Sequence, residues 1–184
     1  MKEIRFHGRG GQGTATAADL LAKAASYDGK YVQSFPFFGA ERRGAPVTAY
    51  TRISNSPIWL REPIYNPDVV VVLDHVIWKY VNVTEGLKED GIVLLNAKES
   101  PAKAQREVNT EAYVYTVDAT GIALEVLKRP ITNTVMLGAL VAAAKIVTLD
   151  SIKKAIASRF VGSKVGPNIK AVELASTKVR GPQK

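Results

Sequence analysis

A chain of 184 residues, of which 46% are hydrophobic and 23% charged, has the length and composition of one globular domain with a substantial core. It contains no cysteine and only two histidines, which excludes disulfides, a thiolate nucleophile and a cysteine-ligated iron–sulfur cluster in this chain. The net charge is +8, and residues 159–184 contain six basic residues and one acid. A solvated surface explains this basic segment better than a nucleic-acid arm, because no aromatic residues are interleaved with the charges.

Neither a membrane span nor a leader peptide is predicted. No apolar run reaches the roughly 20 residues that cross a bilayer. A strand pattern begins near the first residue, so no signal peptide is expected. The sequence therefore predicts a cytoplasmic protein that contacts neither membrane nor nucleic acid.

The first predicted element is a strand over residues 4–7, followed by a glycine-rich turn and an alanine-rich helix over 14–27. A continuous β-branched run at 68–74 is typical of a central parallel strand covered on both faces. The strongly apolar segment 133–147 predicts a central or interface helix, with the Asn-Thr pair at its start as a cap. Further strands are predicted at 31–34, 46–53, 58–60, 91–96 and 112–117. Further helices are predicted from residue 75 and at 119–127, 149–160 and 167–178. A loop is expected at 35–45 and an exposed polar connection at 98–109.

This alternation of strands and helices predicts an α/β fold. We expect a Rossmann-like, mostly parallel sheet with helices on both faces. The hairpin pattern over 46–60 favours a mixed sheet. A single domain over residues 1–178 is expected, followed by a basic C-terminal tail at 179–184 that is disordered.

The turn after the first strand has the sequence GRGGQG over residues 8–13, and the following helix begins at Thr14. Glycine lets the backbone approach a ligand closely, and the N–H groups at the start of a helix favour an anion, most often phosphate. The GxGxxG spacing also fits the dinucleotide fingerprint. That fingerprint requires an acid at the end of the second strand, where this chain has Gln-Ser at residues 33–34, so NAD binding is disfavoured.

A second cluster, FFGAERRGAP, follows the second strand at residues 37–46 and places Arg42 beside Arg43. Arginine binds phosphate oxygens in pairs and stays charged. Because the carboxyl ends of parallel strands share one edge of a sheet, this loop and the glycine turn are expected to converge on one polyphosphate. Pairing of both arginines with acids on a partner protein is an equally open interpretation. Asp74 and His75 are expected at the same edge.

Several motifs together resemble one family. They are GRGGQG at residues 8–13, GAERRGAPV at 39–47, NPD at 66–68 and TNT at 132–134. Over residues 1–178 the combination is similar to the gamma subunits of the 2-oxoacid:ferredoxin oxidoreductases, above all those of the pyruvate enzymes. The branched-chain 2-oxoacid (2-ketoisovalerate) members are the alternative within this family.

The resemblance implies an oxidoreductase complex that converts pyruvate, coenzyme A and oxidised ferredoxin to acetyl-CoA, carbon dioxide and reduced ferredoxin. Thiamine diphosphate, magnesium and iron–sulfur clusters would belong to alpha, beta and delta-type partner subunits. This chain would be inactive alone, with no catalytic residue and no metal, and would help to bind coenzyme A and to assemble the complex. Carried over position by position, the coenzyme's phosphates would be held by Gly10, Gly11, Gln12, Gly13, Thr14, Arg42 and Arg43.

Coenzyme A also fits the residues themselves. It carries a pyrophosphate and a 3′-phosphate, which need fixed cations and helix N-termini, and an acid at the second strand would repel the 3′-phosphate. Two other functions stay open from the residues alone. One is a free-standing nucleotide-binding oxidoreductase domain, and the other is a structural or basic interaction protein that uses residues 159–184.

Overall fold

A computed structural model of the chain describes residues 1–37 and 44–182. Its centre is a single six-stranded sheet. The strands are β1 (Lys2–Arg9), β2 (Tyr31–Phe37), β3 (Pro46–Ser54), β4 (Val69–Val72), β5 (Ile92–Asn96) and β6 (Tyr113–Val117). The helices are α1 (Thr14–Tyr27), α2 (Pro101–Val108), α3 (Ala119–Leu127), α4 (Asn133–Ala144), α5 (Leu149–Arg159) and α6 (Val165–Lys178). Short 3-10 helices lie at Ile77–Lys79 and Gly162–Lys164.

The order of the strands in the sheet is β2-β3-β1-β4-β5-β6. β1, β4, β5 and β6 are parallel neighbours, whereas β3 is antiparallel to both β1 and β2. The predicted mixed, mostly parallel sheet is therefore confirmed. β2 runs in the same direction as β1, so both strands end at one edge of the sheet, which we call the carboxyl edge. The topology predicts a ligand crevice between β1 and β4 at this edge, because α1 after β1 and the 3-10 helix after β4 belong to different cores, on opposite faces of the sheet.

Helices cover both faces of the sheet, as predicted. The larger core contains residues of α1, α3, α4, α5 and α6. The smaller core contains Trp78 of the first 3-10 helix and Ala104 of α2. Valine side chains of β4 alternate between the two cores, since Val71 belongs to the larger and Val72 to the smaller. A strand covered on both faces has no polar side, which is why its sequence is uninterrupted valine.

Helix α4 is central in the larger core, as its apolar sequence indicates. Gly138 of α4 lies against the backbone of Val172 in α6, where a Cβ would not fit. This close approach fixes the two helices side by side. Their N-terminal ends are also joined, because the hydroxyl of Thr134 donates a hydrogen bond to Oδ1 of Asn168 at 2.7 Å.

The structure corrects three local predictions. No strand forms at 58–60, where the backbone is irregular and Trp59 is 86% exposed. The first residues of the predicted 35–45 loop belong to β2. The polar connection at 98–109 contains α2, which begins after an N-cap at Ser100 and buries only Ala104.

The C-terminal segment was expected to be disordered from residue 179, and the structure differs from that expectation at Arg180. Arg180 forms an antiparallel bridge with Thr116 of β6. Its guanidinium also donates hydrogen bonds to the carbonyl oxygens of Lys98 and Glu99, both at 2.8 Å. These contacts hold Arg180 against the edge strand β6.

Candidate functional site

The glycine turn connects the end of β1 to the start of α1 at the carboxyl edge. Two of its glycines have left-handed backbone conformations, with φ of +93° at Gly11 and +76° at Gly13. Residues with a Cβ rarely adopt such angles, which explains the glycine content of the turn. The space beside Gly11 is open, because a Cβ built there meets no described atom within 4 Å.

Helix α1 begins directly after the turn. Gly13 is its N-cap residue and supplies no side-chain hydrogen bond to the first turn of the helix. The first N–H groups of a helix have no partner within the helix. Together with the positive end of the helix dipole, these N–H groups form a site that suits an anion at the open side of the turn.

The side chain of Gln12 folds back under the turn and connects it to the end of β4. Its Oε1 accepts a hydrogen bond from the backbone N–H of Arg9 at 2.7 Å. Its Nε2 donates to Oδ2 of Asp74, also at 2.7 Å. The guanidinium of Arg9 lies 3.3 Å from the same Asp74 oxygen. Gln12 and Asp74 therefore join the two strands that border the crevice.

Asp74 is a charged carboxylate with donors at both of its oxygens. Its Oδ1 accepts hydrogen bonds from the backbone N–H groups of Val76 at 2.9 Å and Ile77 at 2.8 Å. Burial by itself would raise the pKa of Asp74, but these hydrogen bonds, that from Gln12 and the charge of Arg9 outweigh it, so the pKa lies below its usual value. Asp74 is thus a structural anion whose charge is compensated, and it does not act as a free carboxylate in the crevice.

Thr14 and Asn133 complete the described part of the turn. Thr14 Oγ1 is buried and has no hydrogen-bond partner among residues 1–37 and 44–182. It fills the space that a Cβ at Gly8 would need. Asn133, the first residue of α4, places its Nδ2 only 2.5 Å from the position of a Cβ at Gly13. Close contacts therefore require glycine at residues 8 and 13, and at Gly13 the backbone angle requires it as well.

The start of α4 differs from the predicted Asn-Thr cap. Its N-cap residue is Thr132, whose side chain makes no capping bond and instead donates to the carbonyl oxygen of Leu73 at 3.2 Å. Asn133 Oδ1 accepts from the N–H of Thr134 at 2.8 Å. Thus Thr132 ties the helix to the end of β4, and Asn133 faces the glycine turn.

The predicted arginine pair lies outside the described residues, as does the rest of segment 38–43. The chain on either side is placed at the carboxyl edge. β2 ends there at Phe37, and Ala45, just before β3, accepts a hydrogen bond from the N–H of Gly10 at 3.0 Å. This hydrogen bond brings one end of the segment 37–46, which we call the basic loop, into contact with the glycine turn.

A buried polar pair precedes the turn on β1. Nε of Arg5 donates to Nε2 of His7 at 3.1 Å. The arginine also donates to the carbonyl oxygen of Val83 at 3.1 Å. Burial, with a smaller contribution from the charge of Arg5, lowers the pKa of His7 to about 3. His7 is therefore neutral, and accepting at Nε2 leaves its proton on Nδ1.

The structure thus places Gly10, Gly11, Gln12, Gly13 and Thr14 in one turn at the edge where they were predicted. It adds Asn133 and the role of Asp74, which sequence reasoning had not assigned. Their partners in the turn are 62 residues from Asp74 and 120 from Asn133 along the chain. The only sequence signal for them was the position of each residue beside a buried element.

Neither a metal site nor a membrane span is found in the described residues. Within the described part of the chain, no group of three or more His, Asp or Glu side chains is arranged to hold a metal ion. In the same residues, no helix has the length and apolar character needed to cross a bilayer.

Comparison with known proteins gives one consistent family. The family described as pyruvate ferredoxin/flavodoxin oxidoreductase matches residues 3–177. Pyruvate synthase subunit PorC of Methanothermobacter marburgensis is 54% identical over 180 residues, covering 98% of both chains. The Pyruvate/ketoisovalerate oxidoreductases common subunit gamma of Thermococcus kodakarensis is 54% identical over 179 residues, covering 97% of both.

A solved structure shows the same fold. The crystal structure of pyruvate oxidoreductase subunit PORC from Thermotoga maritima superposes with a TM-score of 0.89 at 42% sequence identity. The match covers 99% of this chain and 98% of that one. The topology described above is therefore that of a known subunit, over its whole length.

Proposed function

The chain belongs to the pyruvate ferredoxin/flavodoxin oxidoreductase family, and we propose that it is the gamma subunit of a pyruvate synthase, in which its glycine turn binds coenzyme A. The complex would convert pyruvate, coenzyme A and oxidised ferredoxin to acetyl-CoA, carbon dioxide and reduced ferredoxin in the cytoplasm. The observation that carries this proposal is the open turn at Gly11 beside the uncapped start of α1.

The chemistry of the turn suits a pyrophosphate. Backbone N–H groups at a helix start bind phosphate oxygens, and the left-handed glycines let the ligand approach the backbone. The buried hydroxyl of Thr14 lacks a partner among the described residues, and such a group requires an explanation, for which a bound ion or water is one source. Because four donors compensate the charge of Asp74, that carboxylate does not repel a bound phosphate.

The basic loop supplies the second part of the proposed site. Arg42 and Arg43 follow β2, whose end lies at the same edge as the turn, and the hydrogen bond from Gly10 to Ala45 holds the far side of the loop there. We infer that the two guanidinium groups bind phosphate oxygens of the coenzyme. They would neutralise charge that the N–H groups alone cannot balance.

The absence of cysteine bears on which subunits of the complex hold the iron–sulfur clusters. Without cysteine it cannot ligate an iron–sulfur cluster by thiolates. The family resemblance implies that the clusters, thiamine diphosphate and magnesium belong to alpha, beta and delta-type partner subunits, and for the clusters the absence of cysteine agrees with this. In this proposal the chain holds the coenzyme so that its thiol reaches the acyl group on a partner's cofactor, which is catalysis by proximity.

The test of this proposal is kinetic and uses the assembled complex. Arg42→Ala/Arg43→Ala should raise the KM for coenzyme A roughly tenfold or more, because two charge-assisted contacts are lost. Pyruvate decarboxylation, which precedes the coenzyme step, should persist. The matched control Lys23→Ala/Lys170→Ala removes the same charge from exposed positions on α1 and α6. An unchanged KM in the arginine variant would contradict the basic-loop assignment.

A second candidate differs only in the 2-oxoacid. The relative from Thermococcus kodakarensis is named as common to pyruvate and ketoisovalerate oxidoreductases, and it is as similar to this chain as the pyruvate synthase subunit. One gamma subunit shared by two enzymes fits a chain that binds coenzyme A rather than the oxoacid. Purification from the native source separates the two candidates. A shared subunit would be found in two complexes with different substrates, whereas a dedicated one would be found only with pyruvate activity.

A further inference from the structure

A second cavity lies next to the glycine turn and is not part of the site described so far. Its volume is about 520 Å³, and it is bordered by the C-terminal end of α3 and the N-terminal ends of α4 and α6. Val126, Leu127 and Phe160 form an apolar wall. Polar side chains also line the cavity, and they include Asn133, the residue that also lies against Gly13.

Three cationic side chains line this cavity, which we call the basic pocket. They are Lys128, Arg129 and Lys164, and no acidic residue is among the described residues that line it. Within the described part of the chain, none of the three forms a salt bridge with a carboxylate. The only hydrogen bond of the Lys128 ammonium is to the carbonyl oxygen of Glu125, at 2.8 Å, within the same described residues.

The positions of these cations are fixed by the fold. Lys128 ends α3 in a left-handed conformation with φ of +57°. Lys164 is the N-cap residue of α6, and its carbonyl oxygen accepts a hydrogen bond from Asn168 Nδ2 at 2.8 Å. Asn168 in turn accepts from Thr134 of α4, so the start of α6 is held against the start of α4. The three cations are exposed at the rim of the pocket and have no carboxylate partner among the described residues, so their charge is available to an anion.

We propose that the basic pocket binds the 3′-phosphate of coenzyme A while the glycine turn binds the pyrophosphate. This inference rests on the proposed function, since it names a second contact of the same ligand. Asn133 lies at both sites, so one molecule can occupy them together. A phosphate monoester carries nearly two negative charges at neutral pH and needs several cations. The apolar wall gives the adjoining adenosine a surface on which to pack.

The experiment compares two substrates in the assembled oxidoreductase. Coenzyme A and 3′-dephospho-coenzyme A differ only in the phosphate assigned to the basic pocket. The variant Arg129→Ala/Lys164→Ala removes two exposed cations without disturbing the core. We expect the KM for coenzyme A to rise roughly tenfold, and the KM for the dephospho form to change less than about twofold.

A single-site pair provides a matched control. Lys128→Gln and Lys145→Gln remove the same charge from residues with the same backbone conformation, since φ is +57° and +51°. Lys145 follows the far end of α4, whereas Lys128 lines the pocket. Only Lys128→Gln should weaken the preference for coenzyme A over its dephospho form.

The KM values of these variants distinguish failure of the 3′-phosphate assignment from failure of the proposed function. If the pocket variants leave both KM values unchanged, or raise both equally, the 3′-phosphate assignment is overturned. Gly11→Ala places a methyl group over the open side of the turn and serves as the reference for the proposed function. If Gly11→Ala raises both KM values while the pocket variants have no selective effect, only the pocket inference fails. If Gly11→Ala also has no effect, the proposed function fails.

Discussion

Substitution of Gly13 by alanine is the sharpest local test of the glycine turn. Gly13 has a φ of +76°, and a Cβ there would lie 2.5 Å from Nδ2 of Asn133. Alanine therefore meets two separate penalties, one from the backbone conformation and one from the overlap. The overlap must be relieved by moving Asn133 or the start of α1, and both border the proposed coenzyme site.

The chain provides a control that separates these penalties. Gly29 has a nearly identical φ of +75°, but a Cβ there meets no described atom within 4 Å. Gly29→Ala should thus cost only the backbone term, about 1–2 kcal/mol. Gly13→Ala should cost about 1–3 kcal/mol more, the usual penalty for forcing an atom into a packed site. For a protein of this size, each kcal/mol lowers the Tm by about 2–4 °C.

Denaturant unfolding of the two variants measures this difference directly. Asn133→Ala should rescue part of the loss in the Gly13→Ala background, because it removes the group that the methyl meets. In the complex, Gly13→Ala should raise the KM for coenzyme A and Gly29→Ala should not. Equal destabilisation by both substitutions, with no rescue, would refute the close contact between the turn and α4.

Two further predictions concern the polar network and the buried histidine. Asp74→Asn should destabilise the chain by about 2 kcal/mol, because the new amide group faces the Gln12 and Arg9 donors. Adding Gln12→Glu should restore much of this stability, because the glutamate supplies an acceptor for that amide. Thermal unfolding that shows no recovery in the double variant would count against the network. His7 has a pKa of about 3 in the folded protein, below the value of about 6.5 in the unfolded chain. The neutral imidazole therefore contributes stability that is complete above about pH 6.5 and is lost as the pH falls towards 3. The loss of folding free energy over this range is up to about 5 kcal/mol. Unfolding measured between pH 7 and pH 4 should therefore have a shallower pH dependence in His7→Gln than in the parent or in His75→Gln, and parallel profiles would exclude His7 as the cause.

Local signals were enough to predict the strand, turn and helix at the start of the chain. The glycine turn requires glycine for conformational reasons, and the following alanine-rich segment has helical periodicity, so both are visible over a short window. The valines of β4 likewise indicate a strand covered on both faces. These elements fix the sheet edge, and with it the position of the predicted binding residues of the glycine turn.

The errors have equally local causes. Helix α2 buries a single residue, so it lacks an apolar stripe, and only the Ser100-Pro101 start signals it. The segment 58–60 is apolar like a strand but pairs with none, and the carbonyl oxygen of Leu60 accepts instead from the side chain of Gln33 at 2.8 Å. In both segments the polarity of the sequence did not decide the secondary structure, which depends on contacts with other parts of the chain.

Contacts between distant parts of the chain were beyond sequence reasoning. Asp74 was noted as a residue at the ligand edge, but its bond to Gln12 depends on the neighbouring positions of β1 and β4. The basic pocket is formed in the same way, since Arg129 and Lys164 come from different elements. Their common environment arises only when the end of α3 and the starts of α4 and α6 come together.

The most direct test of the central claim is an electron cryomicroscopy structure of the native complex with coenzyme A bound. We predict density for the pyrophosphate within hydrogen-bond distance of the backbone N–H groups at Gly11, Gly13 and Thr14. Coenzyme A bound entirely by other subunits, with the glycine turn buried against protein or filled by another ligand, would contradict it.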